Sequence, residues 1–79
     1  MKQTQIKEQL QVAEGRLHSY LSAEQAILSG QSYEAEGLKL TRANLKDVQN
    51  MIASLKKEIS ALNARLKGRT SFRIVTPGW

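Results

Sequence analysis

The chain has 79 residues, a net charge of +5, one histidine and no cysteine. A domain of this length buries roughly 60–65% of the surface that its unfolded chain exposes, so its core is marginal. The absence of cysteine excludes disulfides and thiolate metal sites, and a single histidine excludes a multi-histidine metal site within one chain. Oligomerisation or docking onto a larger body remains as the means of added stability.

The charge is divided unevenly along the chain. Residues 1–36 carry three basic and five acidic groups, a net charge of −2, whereas residues 37–79 carry nine basic and two acidic groups, a net charge of +7. Such a field attracts nucleic acid, an anionic membrane or an acidic protein surface, without choosing among them. No run of 18 apolar residues and no apolar signal region is present, which predicts a soluble, non-secreted protein without a membrane partner.

Apolar residues recur every three or four positions along residues 4–28, and this spacing predicts an amphipathic helix. Its apolar face comprises Ile6, Leu10, Ala13, Leu17, Tyr20, Leu21, Ile27 and Leu28. Gly15 lies inside this helix at a cost of about 1 kcal/mol relative to alanine, which indicates either close packing or a soft spot. Gly30 is suited to end the helix, because glycine accepts the left-handed conformation that follows many helices.

A short β-hairpin is predicted next. Apolar and polar residues alternate in residues 33–35 and again in residues 38–40, as in half-buried strands. Glu36 and Gly37 lie between the two segments as a turn signal, since glycine accepts positive φ. Two strands alone are marginal in water, so we expect the hairpin to pack against the helices.

The second helix has a clear start and end. Thr41 is a good N-cap, although Asn44 stands where a capping box would carry Glu or Gln. Leu40 and Leu45 have the spacing of a hydrophobic staple, and Gly68 is suited to end the helix.

An unbroken apolar seam, with alternating steps of three and four, runs along this second helix. It comprises Leu45, Val48, Ile52, Leu55, Ile59, Leu62 and Leu66. The seam fits an intramolecular core against the first helix or a homotypic coiled coil. The short hairpin and the lack of complementary flanking charges favour the first interpretation, an antiparallel helix pair. The sequence therefore predicts an α+β mini-domain over residues 1–68, with two antiparallel helices joined by a β-hairpin.

Residues 69–79, the C-terminal arm, differ in character from the helices, because β-prone residues and a Pro-Gly pair replace helix formers. Its candidate partner-binding residues are Arg69, Phe72, Arg73, Ile74, Val75, Pro77 and Trp79. A disordered terminus and packing on its own domain are alternatives. Disordered tails are poor in aromatic and β-branched residues, however, and aromatics and arginine are enriched at interface hot spots. We therefore expect an extended arm that binds a partner.

Catalysis is disfavoured. His18 and Ser22 are four residues apart on a helix, and no third group is indicated that would orient them as a catalytic pair. Glu34 and Glu36 fall on one face of a strand, where a solvated surface is favoured over a weak cation site. No glycine-rich phosphate loop is present. We predict a protein that is not an enzyme and that uses no cofactor or metal.

The basic residues of the second helix allow two interpretations. These residues are Lys46, Lys56, Lys57, Arg65 and Lys67. They could solvate the outer side of the helix, or they could contact phosphate backbones without sequence specificity. No aromatic residues are interleaved with them, so base stacking is not indicated.

The stretches at residues 28–34 (LSGQSYE) and 37–46 (GLKLTRANLK) carry a resemblance to known proteins. The order helix, glycine, hairpin, threonine-capped helix and aromatic tail resembles the gpW-type head–tail joining proteins of tailed bacteriophages. It is also similar to a group of small uncharacterised phage proteins with a comparable hairpin and a Leu-Thr-Arg-Ala helix start. The likeness covers roughly residues 6–66 and is architectural.

The resemblance implies a structural role in the virion. Proteins of the gpW type form a homo-oligomeric ring beneath the portal of a filled capsid, complete the head and create the surface on which the tail docks. By position, residues 69–79 would be the segment that engages neighbours. The implied partners are the portal protein and downstream neck or tail proteins, with non-specific contact to DNA in the channel as a further expectation. The implied location is the virion neck, after synthesis in the host cytoplasm.

One rival belongs to another class: a small dimeric DNA-binding or regulatory protein that uses the Leu45–Leu66 seam. It predicts helicity that depends on concentration and DNA binding that depends on salt. A coiled-coil scaffold or chaperone cofactor is a third alternative.

Overall fold

Two long helices with a β-hairpin between them make up the computed structural model, which describes residues 3–67. Helix α1 spans Gln3–Leu28, strands β1 and β2 span Tyr33–Ala35 and Leu38–Leu40, and helix α2 spans Leu45–Leu66. The predicted order of helix, hairpin and helix is confirmed, as is the mixed α+β class. The predicted C-terminal arm lies outside the described residues.

Helix α1 ends where glycine allows the chain to reverse. Gly30 has a φ of 87°. Its N–H donates to the Ile27 carbonyl at 3.0 Å, and the Gln31 N–H donates to the Ala26 carbonyl at 2.8 Å. These two bonds form a Schellman motif, which satisfies carbonyls that the helix end would otherwise leave unpaired. The prediction that Gly30 ends the first helix is confirmed.

The hairpin closes through a two-residue turn. Strands β1 and β2 are antiparallel, with Tyr33 opposite Leu40 and Ala35 opposite Leu38. Both turn residues have positive φ, 53° at Glu36 and 80° at Gly37. That combination is the requirement of a type I′ turn, whose twist matches the twist of the flanking strands. The predicted strands and turn are thus confirmed.

The start of α2 differs in detail from the prediction. Thr41 precedes a single 3₁₀ turn, Arg42–Asn44, and the α-helix begins only at Leu45. The Thr41 N–H donates to Asn44 Oδ1 at 3.0 Å, and the Asn44 N–H donates to the Thr41 carbonyl at 2.8 Å. The asparagine amide therefore accepts the bond that Glu or Gln accepts in a capping box. Because its side chain is short, this local bonding favours the tighter 3₁₀ turn.

The two helices run in opposite directions. Ile6 and Leu10, near the start of α1, form a core cluster with Leu62 near the end of α2. Conversely, Gln49 near the start of α2 donates to Glu24, near the end of α1, at 3.0 Å. The pairing of the first helix with the second is thus antiparallel.

The seam of α2 is the main contribution of that helix to the core. Its buried members are Val48, Ile52, Leu55 and Leu62, and the remaining seam residues are half-buried. Nearer the hairpin, the seam packs with the core residues Ala13, Tyr20, Ala23, Ile27, Ala35 and Leu40. The intramolecular interpretation of the seam therefore describes the fold, because these side chains are covered within one chain.

Two residues of the predicted apolar face of α1 lie outside the core. Leu28 is 59% exposed and Leu21 is 40% exposed, whereas Ala23, which was not assigned to that face, is fully buried. The hairpin accounts for the difference. Ala35 and Leu40 pack in the same cluster as Ala23, so the buried side of α1 is the side that faces the strands. Helical periodicity alone cannot anticipate which flank a hairpin covers.

Gly15 is exposed and has open space beside it. A β-carbon built at this residue meets no atom within 4 Å. The close-packing interpretation of Gly15 is therefore wrong, and the soft-spot interpretation remains. A glycine in this position raises the backbone entropy that folding must remove without any packing benefit.

We expect Gly15→Ala to stabilise the protein by about 1 kcal/mol, because alanine lowers the entropy of the unfolded chain and has the higher helix propensity. For a domain of this size the thermal midpoint should rise by roughly 4–8 °C, as measured by circular dichroism. An unchanged or lower midpoint would mean that the helix needs conformational freedom at this residue.

Candidate functional site

The structure describes the base of the predicted partner-binding arm and not the arm itself. Arg69, Phe72, Arg73, Ile74, Val75, Pro77 and Trp79 all lie outside the described residues. Leu66 packs beside the cluster of Ile6, Leu10 and Leu62, and the Lys67 N–H donates to the Asn63 carbonyl at 3.1 Å. The chain therefore leaves α2 at the end of the helix pair that is farther from the hairpin.

The residues considered for catalysis are not gathered into a site by the described part of the chain. His18 is exposed on α1 and Ser22 is half-buried. Within residues 3–67, no three Asp, Glu or His side chains lie close enough together to hold a metal ion. The expectation that the protein is not an enzyme remains a prediction.

A polar cluster that the sequence did not indicate fixes the hairpin to α1. Arg16 forms an ion pair with Glu36 at the hairpin turn, and its Nη2 also lies 3.4 Å from Glu36 Oε1. The Tyr20 hydroxyl donates to Glu36 Oε1 at 3.0 Å. Arg16 Nη2 further approaches the Met51 sulfur of α2 at 4.0 Å. We call Arg16, Tyr20 and Glu36 the hairpin clamp.

The clamp corrects the interpretation of Glu34 and Glu36 as neighbours on one strand face. Glu34 lies in β1, whereas Glu36 lies in the turn with positive φ, which directs its carboxylate to α1. The only sequence signal was the four-residue spacing of Arg16 and Tyr20, which places them on one side of a helix. Their partner could not be identified without knowing how α1 is rotated.

The clamp shifts the pKa values of all three groups. The hydrogen bond from Arg16, and then that from Tyr20, lowers the pKa of Glu36. The bond to Glu36 raises the pKa of Arg16. Burial of the ring, followed by the bond to Glu36, raises the pKa of Tyr20. Each shift favours the charge states present at neutral pH: an anionic Glu36, a cationic Arg16 and a neutral Tyr20.

The clamp predicts a stability that depends on pH. Because the pKa of Glu36 is lower in the folded than in the unfolded chain, its stabilising effect is present above its ordinary value of about 4.3 and is lost as the pH falls through the folded pKa. We expect Glu36→Gln to be less stable than the wild type at pH 7, and the difference to shrink below about pH 4. Urea unfolding at a series of pH values measures this.

The matched control for this experiment is Glu14→Gln, which removes one exposed carboxylate from α1 outside the clamp. We expect its urea midpoint to follow that of the wild type at each pH. Equal losses in the two variants at pH 7 would argue against a specific contribution from the clamp.

An apolar hollow of about 230 Å³ lies beside the clamp. Its lining residues are Tyr20, Leu38, Leu40, Asn44, Asp47, Val48 and Met51. Leu38 on β2 is 59% exposed. The hollow is small, and the hydroxyl of Tyr20 is already bonded to Glu36. The feature is therefore better explained as the edge of the core than as a ligand site.

The basic side chains of α2 are spread over its outer half. Lys46, Lys56, Lys57 and Arg65 are all exposed, and at 100° per residue they cover an arc of about 180° opposite the apolar seam. Two further basic residues, Lys39 and Arg42, border a polar hollow of about 400 Å³ at the base of the hairpin. This distribution favours the interpretation that the charges of α2 solvate its outer surface.

These features define a small helix–hairpin–helix protein whose hairpin is clamped to its first helix. The chain belongs to the family DUF6148, described as a family of unknown function, whose model matches residues 1–78. Comparison with curated proteins gave no match, and neither did comparison with solved structures. Neither helix of the described part of the chain is both long and apolar enough to cross a membrane.

Proposed function

We propose that the protein is a structural adaptor in the neck of a tailed bacteriophage, where it forms a homo-oligomeric ring on the portal and provides the surface on which the tail docks. The observation that carries the proposal is the helix–hairpin–helix order with the Gly30 helix end and the Glu36-Gly37 turn. This is the architecture on which the resemblance to gpW-type joining proteins rests.

The division of the chain supports an adaptor role. All the buried apolar residues among residues 3–67 are supplied by the two helices and the hairpin, so this part has its own core. Residues 1–68 then form the body, and residues 69–79 form an extended arm available to a partner. An arm that carries Phe72, Trp79 and two arginines has the residue types that dominate interface energies.

The small core also fits a protein that acts within an assembly. A body of this size gains stability from partners, because a ligand that binds only the folded state shifts the folding equilibrium. Exposed Leu28 and Leu38 offer apolar surface at the hairpin end of the molecule, where a neighbouring subunit of a ring could cover them.

Co-sedimentation of the full chain with its cognate portal rings tests the proposal. We expect the protein to pellet with the portal. Binding should also raise the thermal midpoint for unfolding of the protein. The control is an unrelated portal of the same size. Failure to co-sediment with the cognate portal, with the arm intact, would overturn the proposal.

The rival, a dimeric DNA-binding or regulatory protein, needs a free seam on α2. Val48, Ile52 and Leu55 are instead buried within one chain. A dimer through this seam would have to separate α1 from α2 and expose the core of each chain. Helicity that is independent of concentration, measured by circular dichroism, would count against the rival, as would the absence of salt-sensitive binding to duplex DNA.

A further inference from the structure

The hairpin covers only part of one side of the helix pair. On α1, Gln5, Gln9, Val12 and Arg16 recur at steps of four, three and four and therefore share one side of the helix. Arg16 lies at the covered end of this side, where it contacts Glu36 of the hairpin. The residues before Arg16 continue beyond the hairpin toward the start of α1.

Beyond the hairpin this side is an open groove of about 360 Å³. Its lining residues, Gln5, Glu8, Gln9 and Val12 of α1 and Glu58 of α2, define what we call the open groove. Glu58 lies seven residues after Met51, which Arg16 approaches at the covered end, so α2 presents the same side throughout. The groove thus continues the surface on which the hairpin packs.

The open groove combines negative charge with an exposed apolar side chain. Val12 is 63% exposed, the highest exposure among the large apolar residues of the described chain. Among residues 3–67 the one ion pair is that of Arg16 with Glu36, so Glu8 and Glu58 have no cationic partner within the described part. A fitting occupant carries positive charge together with apolar surface.

We propose that the C-terminal arm of the same chain folds back from the end of α2 and occupies the open groove. The arm has this chemistry: Arg69 and Arg73 carry the positive charge that the two carboxylates of the groove attract, no acidic residue is present in residues 68–79, and Phe72 has an apolar ring to match Val12. Hydrogen bonds between arginine and a carboxylate are stronger than those between neutral groups.

The geometry allows the contact within one chain. Leu66 and the cluster of Ile6 and Leu10 place the end of α2 beside the start of α1, the end at which the groove opens. Glu58 lies eight residues before Leu66, which is about 12 Å at the helical rise of 1.5 Å per residue. From residue 67 to Phe72 the extended chain spans up to about 17 Å. Phe72 can therefore return to Glu58 and Val12, with Gly68 allowing the reversal.

The contact gives the arm of the free protein a defined binding site, from which a partner would displace it. Attachment to the same chain gives a short segment an effective concentration of about a millimolar, so a weak interaction suffices. The contact belongs to the free protein, whatever partner the arm binds. Binding of the arm to a partner should therefore uncover Val12, Glu8 and Glu58.

Nuclear magnetic resonance of the full chain tests the contact directly. Phe72 and Trp79 are the only phenylalanine and the only tryptophan of the chain. We expect nuclear Overhauser contacts between the Val12 methyl groups and the Phe72 ring, unchanged on dilution. In a mixture of labelled and unlabelled chains, a filtered experiment that detects only contacts between different chains should show no contact between Val12 and Phe72.

Charge variants then test the chemistry. Glu58→Lys should abolish the Val12–Phe72 contacts, and adding Arg73→Glu to it should restore them. Glu14→Lys is the matched control, since it makes the same substitution on the exposed surface of α1 outside the groove and should leave the contacts intact. Circular dichroism confirms that all variants keep their helicity.

Three results would overturn the proposal. Absence of contacts between Val12 and Phe72 in the wild type would show that the arm does not occupy the groove. Contacts that persist in Glu58→Lys would show that charge complementarity does not direct the arm. Contacts seen only between different chains would assign the groove to the arm of a second copy.

Discussion

Replacing Leu55 with alanine is expected to remove about 2–5 kcal/mol of the free energy of unfolding, because the lost side chain leaves a cavity in the core. Leu55 is 1% exposed and belongs to the cluster that joins both helices to the hairpin. A protein of this length has roughly 4–12 kcal/mol in total, at about 0.05–0.15 kcal/mol per residue. The variant should therefore be partly unfolded at 37 °C, as urea titrations and circular dichroism would measure.

Leu28→Ala is the matched control for that experiment. It makes the same chemical change in a helix, at a residue that is 59% exposed. We expect its free energy of unfolding to stay within about 0.5 kcal/mol of the wild type. Similar losses in both variants would contradict the assigned core, and would instead indicate that Leu28 is covered by another subunit under the conditions used.

Ending the chain after Gly68 is expected to abolish binding to the portal while the helical spectrum is retained. The two core clusters and the side chains packed against them are formed by residues between Ile6 and Leu66, so the free energy of unfolding should change by less than about 1 kcal/mol. Co-sedimentation with portal rings measures the loss. A truncated chain that still binds with undiminished affinity would assign the portal contact to the helices or the hairpin.

Two double variants distinguish the positive charges of the arm from those of α2. Arg69→Ala with Arg73→Ala removes two positive charges from the arm, and Lys56→Ala with Lys57→Ala removes two from the exposed surface of α2. An adaptor that binds through the arm should lose affinity for the portal in the first pair and keep it in the second. A DNA-binding protein that uses the basic residues of α2 should show the reverse order on duplex DNA.

The elements with local chemical signals could be predicted from the sequence. Gly30 and the Glu36-Gly37 turn each act within a few residues, so their conformations follow from local sequence alone. The seam of α2 was predicted for the same reason, since one helix with an unbroken apolar repeat has only one side to bury.

The contacts between elements could not be predicted in this way. The pairing of Arg16 with Glu36 joins residues 20 positions apart and depends on the rotation of α1 under the hairpin. The open groove depends on where the hairpin stops, which follows from its three-residue strands. The predicted site residues of the arm lie outside the described residues, so the predictions about them stay untested.

The antiparallel pairing has a consequence for how the chain folds during synthesis. Ile6 and Leu10 of α1 find their core partner in Leu62, which is made more than 50 residues later. The first helix must therefore wait with its apolar side unpaired until nearly all of α2 has been released. Chains translated by neighbouring ribosomes on one messenger RNA would expose their unpaired apolar helix faces at the same time. This arrangement favours early contacts between copies of the chain.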